Sequence, residues 1–232
     1  MGTLVVLTGI SSPIGQAIAE RLLQSGHQIC GQLHQSPVPV QLSSTPELCL
    51  VRADLSTTEG CQLLADQALR LGAPAVLINN AAGFLRSPLG EFNRQDCEQL
   101  LALNTLAPLE LTHHLQAALA SHNPGVVINL VDNCSHHRPW PHHSAYAASK
   151  AALVALTRSL ASELAPNIRV NAVGPGLIAA QEPAAWGTLR HKIPDGRWGH
   201  PDEVAEVVEF CITAPTHLTG QLICVDGGWS VR

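Results

Sequence analysis

A tyrosine and a lysine stand four residues apart in the segment Tyr146-Ala147-Ala148-Ser149-Lys150. In a helix, this spacing places both side chains on one face, one turn apart. A phenol has a pKa of about 10, so a neighbouring ammonium group must stabilise its anion before it exchanges protons near neutral pH. Lowering the pKa of the phenol by about three units needs roughly 4 kcal/mol. The pair indicates proton transfer, although the same spacing also occurs by chance on many helices.

A turn with two glycines follows the first apolar run, in Thr8-Gly9-Ile10-Ser11-Ser12-Pro13-Ile14-Gly15. Gly9 lets the backbone turn tightly beneath a pyrophosphate, and Gly15 lets a helix pack closely on the preceding strand. Ser12 suits the N-cap of that helix, and Pro13 suits its first position. The exposed amides at the helix start would then face phosphates. The alternative is an ordinary strand–helix turn that binds nothing.

The segment that ends the second apolar run, Gln32-Leu33-His34-Gln35-Ser36, contains no acidic residue. An Asp or Glu there would bind the ribose hydroxyls of NAD and repel the 2′-phosphate of NADP. His34 and Ser36 can donate hydrogen bonds to a phosphate. We therefore expect NADPH as the cofactor, although the arginine usual at such a site is missing.

Short apolar runs alternate with helix-length segments along the whole chain. We predict strands at 4–7, 28–32, 49–52, 75–78, 126–131, 168–173 and 221–225, and helices near 14–25, 58–71, 93–121, 145–165 and 202–213. Several strands are apolar on both faces, as in a parallel sheet that helices cover on both sides. The alternation predicts an α/β fold with a Rossmann-type doubly wound parallel sheet. No repeat or linker interrupts it, so we expect residues 1–232 to form a single domain.

The composition excludes several classes of protein. Hydrophobic residues make up 46% of the 232 residues and charged residues 13%, so the chain can bury a large core and is not disordered. A formal net charge of −5 lacks the basic character of a nucleic-acid-binding protein. No apolar stretch approaches the roughly 18 residues of a membrane span, and the start lacks a signal peptide's basic region. Seven cysteines without a C-x-x-C pair predict reduced thiols in a cytoplasmic protein.

These motifs together resemble the short-chain dehydrogenase/reductase family over essentially the whole chain. The matching pieces occur in the family's order: Thr8-Gly9…Gly15, Asp54-Leu55, Asn79-Asn80-Ala81-Ala82, Asn104, Tyr146 with Lys150, Asn171…Gly174-Pro175-Gly176, and Val225-Asp226-Gly227-Gly228. The resemblance implies an NADPH-dependent oxidoreductase. It also implies a homotetramer, with the helix at 145–165 in an interface.

The resemblance assigns roles to individual residues. It implies that Tyr146 donates a proton, and that Lys150 holds the nicotinamide ribose and lowers the pKa of the tyrosine. It implies that Asn104 anchors a water chain to the lysine, that Asp54 binds the adenine and that Asn80 lines the adenine ribose. The expected cofactor-binding residues are Gly9, Ser11, Ser12, Ile14, Gly15, His34, Ser36, Asp54, Leu55, Asn80, Ala81, Ala82, Tyr146, Lys150, Pro175 and Gly176.

One position departs from the family. Most members have a serine after the fifth strand that polarises a substrate carbonyl, and here Asp132 stands in its place. An ionised carboxylate only accepts hydrogen bonds, so it cannot polarise a ketone oxygen. Beside Tyr146 it would help to keep the phenol protonated. Such a pair suits delivery of a proton to a ring nitrogen while hydride reaches the adjacent C=N carbon.

Aspartate at this position resembles the pteridine reductase branch of the family, including bacterial dihydromonapterin reductases. In that branch an aromatic residue at the position of Phe84 stacks the pterin on the nicotinamide. His34-Gln35-Ser36 resembles its His-Arg-Ser phosphate loop, and the segment 183–194, with Trp186, resembles its substrate-covering loop, near 177–200 here. We therefore predict NADPH-dependent reduction of a dihydropterin or dihydrofolate. The predicted catalytic residues are Asp132, Tyr146, Lys150 and Asn104, and the predicted substrate-binding residues are Phe84, Asp132, Tyr146 and Trp186.

Several alternatives stay open. Phe84 also fits simple core packing, and Trp186 an ordinary surface. Pro13 replaces the family's middle glycine, and the interval from Asp132 to Tyr146 is one residue longer than usual, which leaves the direction of the carboxylate open. A general ketone or 3-oxoacyl thioester reductase and a non-catalytic binding protein are the rival functions. The paired histidines at 113–114, 136–137 and 142–143 lack the spacing of metal ligands, so we expect no metal.

Overall fold

Seven apolar runs pair into one sheet in a computed structural model, which describes residues 2–42, 45–133, 137, 140–179 and 189–231. The strands are β1 (Leu4–Leu7), β2 (Gln28–Leu33), β3 (Leu48–Arg52), β4 (Val76–Asn79), β5 (Gly125–Leu130), β6 (Ile168–Pro175) and β7 (Leu222–Val225). Their order is β3-β2-β1-β4-β5-β6-β7, and each neighbouring pair is parallel. The predicted Rossmann-type sheet is confirmed, with the bounds of β1 as predicted and those of the other six strands shifted by one or two residues. The strand order reverses between β1 and β4, where such sheets bind ligands.

Six α-helices connect the strands among the residues described. They are α1 (Pro13–Gln24), α2 (Thr58–Leu71), α3 (Arg94–Leu101), α4 (Ala107–Ala120), α5 (Ser144–Leu164) and α6 (Pro201–Thr213). Short 3-10 turns lie at Val40–Leu42, Leu89–Glu91 and Trp229–Val231. No helix in the described ranges is both long enough and apolar enough to cross a membrane.

The single helix predicted at 93–121 is wrong in one respect, because a π-helical turn at Ala102–Leu106 separates α3 from α4. Pro108 gives a physical reason for the wider turn. Proline has no backbone N–H to donate to the carbonyl four residues earlier, which belongs to Asn104, and its ring clashes with that carbonyl. Turns of this kind are frequent at functional sites, and this one contains the predicted catalytic Asn104.

The core forms two layers because alternate residues of the strands face opposite sides of the sheet. Val5 and Leu7 of β1 belong to a cluster that α1 and α6 cover. Leu4 and Val6 belong to a second cluster, which α2, α4 and α5 cover. Burial on both faces accounts for the continuous apolar runs in the sequence. The rigid sheet fixes the loops that follow the strands, and these loops carry the candidate site.

Candidate active site

A cavity of about 470 Å³ opens at the carboxyl ends of β1, β2, β4, β5 and β6. Every residue predicted to bind the cofactor lines it except Gly15, and the predicted catalytic Asp132 lines it as well. Among the residues described, Asn104 and Phe84 do not line it. The lining also includes five residues that the sequence analysis did not select: Gln32, Leu103, Leu130, Val131 and Ile178.

The glycine turn has the close approach expected for phosphate binding. Gly9 has a φ of +65°, and a Cβ added there would lie 2.8 Å from Cα of Ala81. A Cβ at Gly15 would overlap with the carbonyl oxygen of Gly9. Ser12 caps α1 by accepting a hydrogen bond of 3.0 Å from the backbone N–H of Gly15, and Pro13 begins the helix, as predicted. The start of α1 therefore fits a pyrophosphate.

Asn80 holds this turn in place. Its side-chain amide nitrogen donates to the carbonyl oxygens of Thr8 and Gly9 at 3.0 and 2.9 Å, and to Oγ of Ser12 at 3.2 Å. The hydroxyl oxygen of Thr8 in turn accepts from the backbone N–H groups of Asn80 and Ala81. Asn80 thus fastens β4 to the glycine turn, and its expected contact with the adenine ribose stays a prediction.

Gln32 is a structural residue of the site that the sequence analysis did not select. Its Oε1 accepts from the backbone N–H of Gly9 at 2.9 Å, and its Nε2 donates to the carbonyl of Ala53 at 2.7 Å. The side chain is buried. It therefore joins the ends of β1, β2 and β3. A polar residue near the end of an otherwise apolar strand was the available signal.

A positive charge lies beside the acid-free segment after β2. Nη1 of Arg52, at the end of β3, donates to the carbonyl oxygens of His34 and Ser36 at 2.8 and 3.1 Å. Nε2 of His34 lies 3.8 Å from Oδ2 of Asp54. Hydrogen bonds from the side chain and backbone of Ser56 lower the pKa of Asp54. Arg52 supplies the cation that the segment itself lacks, although it does not line the cavity.

The predicted catalytic residues meet between β5 and α5. The hydroxyl of Tyr146 donates a hydrogen bond of 2.7 Å to Oδ2 of Asp132. Nζ of Lys150 donates to the carbonyl of Leu130 at 2.8 Å. Burial lowers the pKa of Lys150 to about 8, and the negative charge of Asp132 opposes that shift. The longer interval between Asp132 and Tyr146 therefore does not prevent their contact.

Asn104 is fully buried and fastens α5 to the loop after β4. Its Nδ2 donates to the carbonyl of Gly83 at 3.0 Å and to Oγ of Ser149 at 2.9 Å, while its Oδ1 accepts from the N–H of Gly83 at 2.8 Å. Ser149 immediately precedes Lys150, so this contact holds the part of α5 that carries the predicted catalytic lysine. Both amide hydrogens bond to protein atoms, and the water chain implied by the resemblance stays a prediction.

Phe84 does not line the cavity, but it lies next to Tyr146, which does. Its ring is 59% exposed, so it is not a core residue. It stacks on His143, with ring centroids 4.7 Å apart and planes at 17°, and meets Tyr146 edge-on at 4.8 Å. The N–H of Ser87 donates to the carbonyl of His142 at 2.6 Å, which holds the loop of Phe84 against the start of α5. This places an exposed aromatic surface next to the predicted proton donor.

The predicted substrate-covering loop lies only partly within the described residues. Trp186 and the rest of 180–188 lie outside them. The two described sides of the loop pair with each other, because Ala179 N–H donates to the carbonyl of Gly199, and Gly199 N–H donates to that of Leu177. Within the described ranges, no three His, Cys, Asp or Glu side chains are placed to hold a metal ion.

Comparison with known proteins gives consistent likenesses over the whole chain. A family model described as enoyl-(acyl carrier protein) reductase matches residues 9–230. The rhamnolipids biosynthesis 3-oxoacyl-[acyl-carrier-protein] reductase of Pseudomonas aeruginosa is 32% identical over 246 residues, which cover 98% of this chain and 96% of that relative.

Two solved structures show the same fold. The NADP active-site complex of RhlG from Pseudomonas aeruginosa has a TM-score of 0.90 at 31% identity. The match covers 99% of this chain and 96% of the RhlG chain. FolM alternative dihydrofolate reductase 1 from Brucella canis, complexed with NADP, also has a TM-score of 0.90, at 29% identity, with 99% and 94% covered. Both neighbours are NADP complexes. The name of the second refers to dihydrofolate, whereas the name of the 32% identical Pseudomonas aeruginosa relative refers to a 3-oxoacyl substrate.

Proposed function

Because this chain belongs to the short-chain dehydrogenase/reductase family, we propose that it is an NADPH-dependent reductase of a pterin, either a dihydropterin or a dihydrofolate. The observation that carries the pterin assignment is the hydrogen bond of 2.7 Å from Tyr146 to Asp132. It puts a carboxylate where a carbonyl reductase needs a second donor. The likeness to an alternative dihydrofolate reductase supports the same substrate class.

NADPH is the cofactor, and it supplies a hydride when bound. The NADP complexes of the neighbouring structures support this assignment. The residues present fit it as well, since the start of α1 suits the pyrophosphate and no acid follows β2 to repel a 2′-phosphate. Lys150 donates one of its three N–H groups to Leu130, which leaves two for the ribose hydroxyls of the nicotinamide.

Reduction of a C=N bond needs a hydride at carbon and a proton at nitrogen. Tyr146 is the proton donor in this proposal, and Asp132 keeps the phenol protonated until the substrate nitrogen arrives. In this proposal the ammonium of Lys150, which interacts electrostatically with Asp132, stabilises the negative charge left behind after proton transfer. Asp132 is only half-buried, so solvent can return the proton to the pair.

Phe84 binds the flat substrate ring in this proposal. Its exposed ring lies beside Tyr146, the predicted proton donor. Stacking of aromatic rings contributes about 1 kcal/mol beyond the area that it buries. A bicyclic pterin offers a larger stacking surface than a simple ketone.

The rival function is reduction of 3-oxoacyl thioesters, which the name of the Pseudomonas relative favours. In that case Tyr146 alone would donate a proton to the carbonyl oxygen, and the carboxylate of Asp132 would give no help. A panel of dihydrobiopterin, dihydromonapterin, dihydrofolate, a 3-oxoacyl thioester and simple ketones, each with NADPH, separates the two. We expect turnover of at least one of the pterin and folate substrates, and weak turnover of the thioester and the ketones. Rapid thioester reduction without pterin turnover would overturn the proposal.

We also propose a homotetramer, as the family resemblance implies. Light scattering on the purified protein measures the mass of the assembly directly.

A further inference from the structure

A side-chain hydrogen bond joins the loop of Asp132 to the turn near the C-terminus. Nδ2 of Asn133 donates to Oδ2 of Asp226 at 2.5 Å. Asn133 is fully buried, and it directly follows the predicted catalytic aspartate. The bond connects the loops that follow β5 and β7, which are not neighbours because β6 lies between them.

The end of β6 leaves room for this bond by carrying glycines. A Cβ added at Gly176 would lie 2.7 Å from both Cα and Cβ of Asp226. A Cβ added at Gly174 would contact side chains of Leu222, Val131 and Asn133, the nearest at 3.2 Å. Because Gly174 and Gly176 have no side chains, Asn133 and Asp226 can form their hydrogen bond across the end of β6.

Asp226 is itself held firmly. Its Oδ1 accepts from the N–H of Gly228 at 2.9 Å, and its Oδ2 accepts from the N–H of Ser230 at 2.9 Å. Burial would raise the pKa of Asp226, but hydrogen bonds from Ser230, Asn133 and Gly228 outweigh it and leave the pKa below its ordinary value. The ionised carboxylate accepts only, so it fixes the direction of the Asn133 amide.

Asp132 lies between two anchors of its loop. On one side, the N–H of Val131 donates to the carbonyl of Val173 at 2.9 Å and continues the pairing of β5 with β6. On the other side, the side chain of Asn133 is tied to Asp226. The backbone of Asp132 is therefore held on both sides, and its carboxylate reaches the hydroxyl of Tyr146.

We propose that Asn133 and Asp226 are positioning residues, which hold the loop so that the carboxylate of Asp132 accepts the hydrogen bond of Tyr146. The inference rests on the proposed role of Asp132, and its structural test does not depend on the substrate being a pterin. A displacement of about 1 Å at a reacting group costs up to about a hundredfold in rate. Loss of the bond should therefore lower turnover without changing cofactor binding.

The first test is structural and independent of activity. A crystal structure of Asn133→Ala with NADPH should show the Asp132 carboxylate beyond hydrogen-bonding distance of the Tyr146 hydroxyl. If the bond of 2.7 Å persists unchanged, the inference is wrong, whatever the substrate is.

The second test exchanges the charges of Asn133 and Asp226, and it is measured on the pterin or folate of the panel that is turned over best. Asn133→Asp places two carboxylates together, and we expect kcat to fall at least about tenfold while Kd for NADPH changes less than about twofold. Asp226→Asn should lower kcat in the parent but raise it in the Asn133→Asp background, because there it removes the repulsion between the two carboxylates.

This change of sign separates positioning from general damage to the fold. The inference would be overturned if Asp226→Asn lowered kcat by the same factor in the parent and in Asn133→Asp. An unchanged kcat in Asn133→Asp would overturn it as well. Asn167→Ala removes an exposed amide and serves as the matched control, with no expected effect. If Asn133→Asp fails to fold, Asn133→Ala takes its place in the kinetic comparison.

Discussion

The hydroxyl of Tyr146 donates its hydrogen bond to the carboxylate of Asp132 rather than facing a second hydroxyl donor. Tyr146 is 7% exposed and Lys150 3% exposed, so a phenol and a positive charge lie shielded from solvent inside the protein, beside the half-buried carboxylate of Asp132. Interactions among such groups are stronger there than in water. The arrangement favours transfer of one proton at a defined position.

The role of Asp132 predicts opposite effects on two substrate classes. Asp132→Ser removes the carboxylate, and pterin turnover should fall at least about tenfold, within the range for loss of a group that assists proton transfer. Ketone or thioester turnover should hold steady or rise, since serine can donate to a carbonyl oxygen. Parallel assays of the parent and of Asp132→Ser with NADPH measure the ratio of pterin turnover to ketone or thioester turnover in each protein. Pterin turnover that is insensitive to this change would make Asp132 a structural residue.

The proton-donor role predicts that Tyr146→Phe separates binding from chemistry. The ring and its contact with Phe84 remain, so NADPH should bind as in the parent. Turnover should fall by about 10²- to 10⁴-fold, the range for loss of a general acid. Fluorescence titration of NADPH and steady-state assays test the two parts. Near-full turnover would mean that another group supplies the proton.

The cofactor preference predicts a measurable effect of Arg52. NADPH should bind at least about tenfold tighter than NADH, a difference of roughly 1.4 kcal/mol. Arg52→Gln releases the carbonyls of His34 and Ser36 and removes the nearby cation, so Kd for NADPH should rise several-fold while Kd for NADH stays constant. Arg70→Gln, an exposed arginine on α2, is the control. Equal losses for both cofactors would indicate damage to the loop rather than to phosphate binding.

The buried ammonium of Lys150 predicts that activity falls as the pH rises through about 8, its pKa in the fold. Stability should change in the opposite direction. Because the ordinary pKa is 10.5, the unfolded chain binds more protons than the folded one between about pH 8 and 10.5, and this group makes unfolding more costly as the pH rises through that window.

Lys150→Met tests both effects together. It should abolish most turnover, raise the melting temperature at pH 7 relative to the parent, and remove the stabilisation between pH 8 and 10.5. Calorimetry of the cofactor-free protein across that range provides the measurement. A variant less stable than the parent at pH 7 would show that the ammonium does not destabilise the fold.

Phe84 should affect substrate affinity more than chemistry. Phe84→Ala removes the stacking surface, worth about 1 kcal/mol beyond buried area, so KM for the pterin should rise about fivefold or more with kcat within a few-fold of the parent. Leu89→Ala changes an exposed apolar residue of the same segment and should leave KM unchanged. A large loss of kcat alone would indicate that Phe84 acts by supporting Tyr146.

Local patterns in the sequence were enough to predict the sheet, the two-sided core and the capped glycine turn. Apolar runs and the spacing of Ser12 and Pro13 act over a few residues, so they can be interpreted without tertiary information. The family resemblance predicted most of the residues that line the cavity, including Asp132 beside Tyr146. The π-helical turn was missed because the helical pattern continues across it, and the effect of Pro108 depends on where the helix begins.

Contacts between distant loops could not be predicted. Asn133 and Asp226 are 93 residues apart, and nothing in either segment specifies the other. The same holds for Arg52 and the carbonyls after β2, and for Phe84 against His143. Each pair depends on which strand ends are adjacent, and that follows only once the order of strands and the lengths of the loops have placed them.

The widened turn at 102–106 has a consequence for how this chain tolerates changes in length. A deletion of one residue within it would shorten the segment without giving one regular helix, because Pro108 would still lack an N–H for the carbonyl four residues before it. One residue corresponds to a rotation of about 100° around a helix. Asn104 or the residues before it would then face away from Gly83 and Ser149. Insertions and deletions in this segment should thus lower activity, because they move Asn104 away from the partners that it holds together.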